Sequence, residues 1–400
     1  MATPDRQGKE RACCARERAE RTSPAPPSGL NSVAGEERRT RWVALNLVLS
    51  NSLRSGQKIV AHFPDLKDAF RAPPAELISL GLEEDKAHEL TSPLILDRAS
   101  RVLDWIGKKG YSVLLNEDEG YPELLREIFD PPFVLYVAGK PEVLSEPSVA
   151  VIGARRPTPF GRAVAEKLAR DLAACGLVVI SGMALGIDSL AHWGALERGK
   201  TVAVLGSGLD NIYPQENKAL FRKIAEGGAV VSEFPPAMPP LGFHFPLRNR
   251  IISGLSLGVV VVEASRRSGS LITARLALEQ NREVMAVPGN ITSELSDGTN
   301  WLIKSGAKLV ETWVDVVEEF PSPLRERYLA RRTEEKEKMP DLSPEEKKIF
   351  DCLKPDELTP IDELVESSDA SVSEVLALLL NLELKGLVRQ APGKNFLRSL

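Results

Sequence analysis

The sequence predicts an α/β protein with an extended Rossmann-like parallel sheet, preceded by a helical domain and followed by a winged helix. Three observations predict this class. Between residues 148 and 264, four apolar runs each lead into a glycine-bearing turn. Helical patterns separate those runs, as alternating strands and helices of a parallel sheet require. Residues 342–400 show three short helical patterns followed by a hairpin pattern.

The four apolar runs are typical of buried parallel strands that end in a turn and then a helix. They cover residues 148–153, 177–180, 201–205 and 258–264. Ligands of open α/β sheets bind at the carboxyl ends of the strands. Glycine allows close approach of the backbone there, and helix N termini attract anions. We therefore expect an anion-binding edge on this sheet.

Composition excludes several classes of protein. With 400 residues, 43% hydrophobic and 27% charged, the chain fits two or three soluble domains. No apolar run approaches the roughly 20 residues needed to span a bilayer. The net charge of −5 argues against a uniformly basic surface but allows a local basic groove. The chain has four scattered cysteines and four histidines without the spacing of metal ligands. We therefore expect no disulfide framework, no metal and no cofactor. The few cysteines fit a reducing cytoplasm.

The chain before the sheet divides into two segments. Residues 1–40 are arginine-rich and poor in large apolar groups, and we expect a disordered extension. Residues 41–110 have helical periodicity and predict a SAM-like or helix-hairpin-helix-like domain, with a hairpin turn at Gly81. Such a hairpin can bind DNA backbone, but acidic residues 83–85 follow the turn. A structural or docking role is therefore favoured over DNA binding.

The main domain is expected to span residues 111–320. Strand patterns at 111–115 and 133–137 should extend the sheet, and strands at 229–231 and 283–287 should belong to it. Helices are predicted at 161–175, 188–198, 216–225 and 270–280. The charged, proline-marked residues 321–341 are expected to form a linker.

The C-terminal pattern from 342 to 400 predicts a winged helix. Its helices are expected at 344–353, at 360–365 with Thr359 as N-cap, and at 371–385, before a hairpin around 391–394. A DNA-reading third helix should be basic. Residues 342–400 instead hold seven Lys and Arg against eleven Asp and Glu, a balance of −4. A protein-contact or spacer role is favoured over duplex binding.

The motifs of the main domain indicate an anion site without a catalytic apparatus. The turn after residue 152 lacks the G-x-G-x-x-G pattern of dinucleotide-binding folds, and the third glycine is also missing after Gly206-Ser207-Gly208. The sequence contains no P-loop and no nucleophile elbow at a strand end. Asp188, Asp210 and Glu263 are interpreted as helix caps or partners of arginines.

Positive charges cluster at the predicted sheet edge. Arg155 and Arg156 follow the first strand, and the segment 243–250 combines arginines, an amide and aromatic rings. Arg266 and Arg267 precede a helix start, and Lys218 and Arg222 lie on the helix after Gly206-Ser207-Gly208. Arginine holds phosphates bidentately, and aromatic rings stack on unpaired bases. Several phosphate sites along one edge fit a polynucleotide better than one small nucleotide.

The chain resembles the DNA-processing protein A family (DprA, also called Smf) over roughly residues 42–400. The motifs that carry the resemblance are Ser181-Gly182-Met183-Ala184-Leu185-Gly186-Ile187-Asp188, Gly206-Ser207-Gly208-Leu209-Asp210, Ser232-Glu233-Phe234-Pro235-Pro236, Phe245-Pro246-Leu247-Arg248-Asn249-Arg250, Ser268-Gly269-Ser270 and Ala286-Val287-Pro288-Gly289. The resemblance implies a cytoplasmic, non-enzymatic protein that binds and protects incoming single-stranded DNA. It also implies RecA loading during natural transformation and a homodimer formed through the Rossmann domain.

The resemblance also implies which residues contact the strand. The expected side-chain contacts come from the turn after the first strand, from the segment 245–250 and, less strongly, from the helix after Gly206. The full expected set is Gly153, Arg155, Arg156, Gly182, Lys218, Phe245, Arg248, Asn249, Arg250, Ser268, Gly269 and Ser270. Gly153, Gly182 and Ser268-Gly269-Ser270 would contribute through their backbone.

Two other functions stay open at this stage. A related Rossmann branch cleaves nucleoside monophosphates and carries a Pro-Gly-Gly-x-Gly-Thr turn with a following catalytic glutamate. The corresponding residues 266–270 read Arg-Arg-Ser-Gly-Ser and lack that motif. The second alternative is a regulator whose winged helix reads duplex DNA, which the acidic balance of residues 342–400 disfavours.

Overall fold

The computed structural model describes residues 33–50, 52–337, 342–353, 358–368, 370–385 and 387–398. The chain forms two compact units, Met1–Arg325 and Glu326–Leu400. The expectations for residues 1–32 and 338–341 lie outside the described residues.

Six helices come first in the described part of the first unit. They are α1 (Val33–Leu49), α2 (Leu53–His62), α3 (Leu66–Ala69), α4 (Pro74–Ser79), α5 (Glu84–Thr91) and α6 (Leu94–Lys109). In α1, Trp42, Leu45 and Leu49 are buried. Their spacing of three and four residues places them on one helical face, which packs into the core of this unit.

The start of α1 corrects the predicted extension, because residues 33–40 are helical and not disordered. The arginines that suggested disorder have partners distant in sequence. Arg39 donates to the carbonyl of Val113 at 2.7 Å, and Arg38 pairs with Asp118 at 2.9 Å. These bonds tie the first turns of α1 to the segment around the first strand.

The predicted hairpin turn between α4 and α5 is present. Gly81 has φ +94°, a left-handed conformation that favours glycine. Its N–H donates to the carbonyl of Ile78, and the N–H of Leu82 donates to Leu77. Glu84 and Asp85 occupy the first turn of α5, where acidic groups are favoured by the helix dipole. The hairpin amides are thus used within the fold, consistent with a structural role.

The sheet has nine strands. They are β1 (Ser112–Leu115), β2 (Val134–Gly139), β3 (Ser148–Ile152), β4 (Val178–Ser181), β5 (Thr201–Val204), β6 (Ala229–Ser232), β7 (Gly258–Val261), β8 (Glu283–Ala286) and β9 (Lys308–Leu309). Their order is β1-β2-β6-β5-β4-β3-β7-β8-β9. Strands β3 to β9 run parallel, whereas β1 and β2 extend the sheet antiparallel. The extended Rossmann-like sheet is therefore confirmed, with a mixed edge.

Helices cover both faces of the sheet. They are α7 (Glu123–Arg126), α8 (Pro159–Ala174), α9 (Ile187–Arg198), α10 (Lys218–Gly227), α11 (His244–Gly254), α12 (Gly269–Glu279), α13 (Glu294–Lys304) and α14 (Trp313–Glu318), with 3-10 turns at Pro141–Ser145 and Gln215–Asn217. In β2, Val134 and Tyr136 join one core, while Leu135 and Val137 join the other. This alternation explains why the strands read as continuous apolar runs.

The second unit is a winged helix, as predicted. It contains α16 (Pro344–Cys352), β10 (Thr359–Pro360), α17 (Ile361–Ser368), α18 (Val372–Leu384), β11 (Val388–Ala391) and β12 (Asn395–Arg398). The strands pair in the order β10-β12-β11. Ser343 and Ser371 form capping boxes with Glu346 and Glu374 and so fix where α16 and α18 begin.

A helix, α15 (Leu324–Glu337), occupies most of the predicted linker. Its sequence is rich in Glu and Arg, which have high helix propensity, so this charged segment is helical. One expectation for the second unit was wrong. Thr359 pairs with Phe396 in the small sheet and is not the N-cap, because α17 begins two residues later, at Ile361.

Candidate nucleic-acid interface

A cleft opens at the carboxyl end of the sheet, where the strand order reverses. The chain runs from β3 through β4 and β5 to β6 and then returns to β7, which pairs with the other side of β3. The turns after β3 and β7 diverge there, as they do at the ligand crevices of open α/β sheets. The cleft has a volume of about 650 Å³ and is lined by Ile152, Gly153, Arg155, Ala184, Asp188, Tyr213, Pro240, Gly242, Phe245, Pro246, Arg248, Asn249, Ile252, Ser268, Gly269, Ser270, Ile272 and Thr273.

One wall of the cleft combines a cation with two aromatic rings. The exposed guanidinium of Arg155 lies over the ring of Phe245, with Cζ 5.7 Å from the ring centroid. The ring of Tyr213 lies 5.7 Å from that of Phe245 and is 45% exposed. Such a wall offers a phosphate partner next to surfaces on which bases can stack.

Tyr213 is a cleft residue that the sequence reasoning did not single out. It lies directly before Pro214, after the turn that follows β5. An aromatic residue in a turn at the carboxyl edge of a parallel sheet is the signal that could have identified it.

Arg248 forms part of the floor of the cleft. The sequence suggested an exposed guanidinium that could hold a phosphate bidentately, but this side chain is buried. It is 4% exposed, and its guanidinium donates to the carbonyl of Val204. Burial lowers the pKa of Arg248 to about 10, while the nearby Asp188 carboxylate acts in the opposite direction. A cation held this way is a fixed charge under the ligand, not a mobile one.

The Asp188 carboxyl lies close enough to that guanidinium for each group to shift the pKa of the other. Burial raises the pKa of the Asp188 carboxyl, and Arg248 opposes the shift. The Asp188 carboxylate accepts from the N–H of Gly182 at 3.1 Å. The predicted backbone contact of Gly182 with a ligand is therefore corrected, because this N–H is used inside the protein.

Arg250 does not reach the cleft. It is 3% exposed and pairs with Glu233 and, at 3.3 Å, with Asp130. Successive residues of an α-helix are rotated by about 100°, so positions 248 and 250 of α11 face nearly opposite directions. The expected strand contact of Arg250 is thus corrected to a buried ion pair, while the half-buried Asn249 does line the cleft.

The start of α12 faces the cleft through Ser268, Gly269 and Ser270. The Ser268 hydroxyl accepts from the N–H of Ser270 at 3.3 Å and caps the helix. A capped helix N terminus with its dipole directed at a cleft favours an anionic ligand. Gly153 lines the same cleft, and a Cβ at this position would collide with Ile187 and the carbonyl of Glu263.

Two predicted cations lie outside the cleft lining. Arg156 is exposed in the turn between β3 and α8, and Lys218 is exposed at the start of α10. Glu263, interpreted from sequence as a helix cap or a partner of an arginine, accepts from the N–H and the hydroxyl of Thr158, which is the N-cap of α8.

The side chains that resemble catalytic candidates make separate structural hydrogen bonds. The Ser181 hydroxyl donates to the carbonyl of Val151 at 2.7 Å, and the Ser207 hydroxyl donates to that of Asn211 at 2.6 Å. The buried His192 bonds through Nδ1 to the hydroxyl of Thr201 at 2.7 Å. Burial, and secondarily Arg248, lowers the pKa of His192 to about 3.

Two features are absent from the part of the chain that the structure describes. No group of three or more His, Cys, Asp or Glu residues in that part of the chain is arranged to hold a metal ion. Within the same residues, no helix combines the length and apolar character needed to cross a membrane.

In the C-terminal unit, the exposed side of α18 is apolar where a duplex-reading helix would be basic. Val372, Leu376 and Leu380 recur every four residues and are 49%, 37% and 56% exposed. Glu374 is tied back to Ser371 in the capping box. This surface offers no row of cations for phosphates, in agreement with the acidic balance of the sequence.

Comparison with known proteins gives two family matches. Residues 112–321 match the model described as DNA recombination-mediator protein A, and residues 333–394 match the DprA winged helix domain. Protein Smf of Escherichia coli (strain K12) is 41% identical over 295 residues, which cover 73% of this chain and 78% of that protein. DNA processing protein DprA of Streptococcus pneumoniae is 49% identical over 204 residues, covering 51% and 72%. The X-ray structure of DprA from Streptococcus pneumoniae superimposes with a TM-score of 0.59 at 37% identity, over 70% of this chain and 98% of that one.

Proposed function

The chain belongs to the DprA/Smf family of DNA processing proteins, and from that membership we propose that it binds single-stranded DNA, without sequence selection, in the cleft between β3 and β7. The observation that carries the proposal is the wall formed by Arg155 and Phe245 in the cleft that the N terminus of α12 also lines. The wall supplies a phosphate partner and a stacking surface together, and only unpaired bases expose their faces for stacking.

The charge distribution supports a polynucleotide ligand. The guanidinium of Arg248 beneath the cleft, the exposed Arg155 and the α12 N terminus all favour an anion. None of these groups selects a base, because each acts on phosphate or on a ring face. The expected binding is therefore tolerant of sequence and sensitive to salt.

The remaining parts of the proposal concern partners and setting. We propose that the protein protects incoming single strands and loads RecA onto them during natural transformation, in the cytoplasm and as a homodimer formed through the sheet domain. The description of the matched family, a recombination mediator, supports the RecA step. The proposed role is binding and transfer of the strand, without catalysis.

A nucleotide-cleaving enzyme is the alternative from another class. It is disfavoured because the Glu263 carboxylate, which lies at the relevant sheet edge, is buried and accepts two hydrogen bonds from Thr158. Release of free base from AMP by the purified protein would favour this alternative.

A titration tests the DNA proposal. Fluorescence anisotropy would compare a labelled oligothymidine with a duplex of equal length over a range of salt concentrations. We expect strong preference for the single strand and an affinity that falls steeply as salt increases. Equal affinity for the two forms, or affinity independent of salt, would refute the cleft as a single-strand site.

A second assay tests the RecA step. Single strands would first be coated with a single-strand-binding protein, and RecA filament formation would then be followed with and without this protein. Faster filament formation is expected, and an unchanged rate would contradict the loading role while leaving DNA binding intact.

A further inference from the structure

A second hollow lies beside the cleft at the same edge of the sheet. Its volume is about 590 Å³, and it is lined by Thr158, Phe160, Glu263, Pro288, Gly289, Asn290, Ser293 and Ser296. These residues follow the carboxyl ends of β3, β7 and β8, and none of them lines the cleft. The hollow therefore occupies a separate position where α/β sheets bind ligands.

The hollow and the cleft share two loops. The segment after β3 contributes Gly153 and Arg155 to the cleft, and then Thr158 and Phe160 to the hollow. The segment after β7 contributes Glu263 to the hollow and Ser268 to the cleft. A polymeric ligand that extends from the cleft to the hollow would cross these two segments.

The hollow is apolar at its mouth. The ring of Phe160 is 51% exposed, and Ile291 in the adjoining loop is 93% exposed. Large apolar side chains left open at a ligand-binding edge gain free energy when a ring or another apolar group covers them. An aromatic base has the shape and the face to cover Phe160.

Hydrogen bonds hold the hollow in shape. The side chain of Asn300 accepts from the N–H of Gly289 at 3.2 Å and donates to its carbonyl at 3.0 Å. The Glu263 carboxylate is occupied by Thr158 at the positive end of α8. The loop is thus preformed, and the acidic group is already satisfied before any ligand arrives.

Exposed cations lie on or next to the two loops in the sequence. Arg156, Arg162 and Arg267 are exposed, and among the described residues none of them has an ion-pair partner. Arg156 and Arg162 flank Phe160 in sequence, and Arg267 lies between Glu263 and Ser268. Free guanidinium groups on the segments that form an apolar hollow complement a ligand with anionic linkages and aromatic bases.

We propose that the hollow is a second base-binding site for the same single strand, occupied by a nucleotide that has left the cleft, with Phe160 as its stacking surface. This inference rests on the proposed function and extends it from one site to a track. Continuity of the two loops and complementarity of charge favour a nucleic-acid strand over a second copy of the chain as the occupant.

Oligonucleotide length tests the proposal. An oligothymidine of about 5 nucleotides should be held by the cleft alone, whereas one of about 20 nucleotides should also reach the hollow. Phe160→Ala should weaken binding of the longer strand roughly fivefold or more and leave binding of the shorter strand unchanged, because base–aromatic stacking is lost only in the hollow. Phe160→Trp should restore the longer strand's affinity.

Matched variants separate this inference from the proposed function. Phe129→Ala removes a ring that is 88% exposed, in a loop where its carbonyl accepts from Gln57 of α2, and should change neither affinity. Arg155→Ala should weaken binding of both the shorter and the longer strand, because Arg155 lies in the cleft. If Arg155→Ala binds both the shorter and the longer strand as tightly as the wild type, the proposed function is refuted. This outcome does not depend on the result for Phe160→Ala.

Three results would overturn the second site. The first is an unchanged affinity of Phe160→Ala for the longer strand, and the second is an equal loss of affinity for the shorter and the longer strand. The third is a changed mass of the DNA-free variant in sedimentation, which would indicate that Phe160 lies in an interface between copies. Photo-crosslinking with the wild-type protein gives a test that does not depend on folding of the variant. A 5-iodouracil placed near one end of the longer strand should crosslink to the peptide that contains Phe160, and crosslinks confined to cleft peptides would refute the track.

Discussion

The guanidinium of Arg248 lies against the α-carbon of Gly182, so close that a Cβ on this glycine would overlap Cζ and both terminal nitrogens. Gly182 cannot move away, because its N–H is bonded to the Asp188 carboxylate at 3.1 Å. The glycine at the end of β4 therefore provides room for an arginine of the protein. From the sequence alone, Gly182 is expected to allow close approach of the ligand to the backbone.

Gly182→Ala should consequently disturb the cleft floor. The added methyl group forces the buried guanidinium to shift, and overpacking of this kind costs about 1–3 kcal/mol of folding free energy. We expect a lower thermal midpoint together with weaker binding of an oligothymidine. Gly227→Ala is the control, since nothing lies within 4 Å of a Cβ there, and it should be tolerated. Normal stability and affinity of Gly182→Ala would contradict the packing described here.

Arg155→Ala should weaken DNA binding without affecting the fold, because the side chain is exposed. Loss of one charge-assisted phosphate contact should reduce affinity about tenfold. For a single strand, the slope of log affinity against log salt should become shallower by about 0.7. The measurement is an anisotropy titration at several salt concentrations. Arg71→Ala removes an exposed arginine from the helical domain and should leave the slope unchanged.

Arg250→Met should show the opposite pattern, with lost stability and a cleft that still binds DNA when folded. The substitution leaves Glu233, which is 3% exposed, without its cationic partner. Breaking a buried pair in this way costs about 3–5 kcal/mol. Urea unfolding would measure the loss. Adding Glu233→Gln to the same chain should recover part of it, because the stranded charge is removed, and failure to recover would show that the pair is not the cause.

The sheet and its site edge were predictable because their signals are local. Each buried strand is a short apolar run, and each run ends in a turn whose glycine is visible in the sequence. Gly81 likewise marked the hairpin of the helical domain through its left-handed conformation. Such features depend on neighbours within a few residues, which the sequence displays directly.

What the sequence did not reveal depends on partners far along the chain. The start of α1 was missed because Arg38 finds Asp118 eighty residues later. The roles of Arg248 and Arg250 were confused because the segment was interpreted as a cluster, although a helical rotation of 100° per residue separates their directions. Tyr213 was missed because its contact with Phe245 exists only in the folded sheet.

His192 should make stability depend on pH below neutrality. Its imidazole is fully buried, and burial lowers the pKa from 6.5 to about 3. Between these two values the unfolded chain binds a proton that the folded chain does not. The contribution of the neutral His192 to the free energy of unfolding is therefore complete above pH 6.5. It is lost as pH falls toward 3, by about 1.4 kcal/mol per pH unit.

The variant His192→Asn isolates this contribution, since asparagine can bond to Thr201 but does not titrate. Its baseline stability should be lower, because the smaller side chain leaves a cavity. Its unfolding free energy should nevertheless fall less than that of the wild type on acidification, by about 2.3 kcal/mol between pH 6.5 and 4.5. Urea unfolding at several pH values measures both slopes, with His88→Asn, at an exposed position of α5, as the control. Parallel curves for the wild type and His192→Asn would show that His192 is protonated in the folded protein.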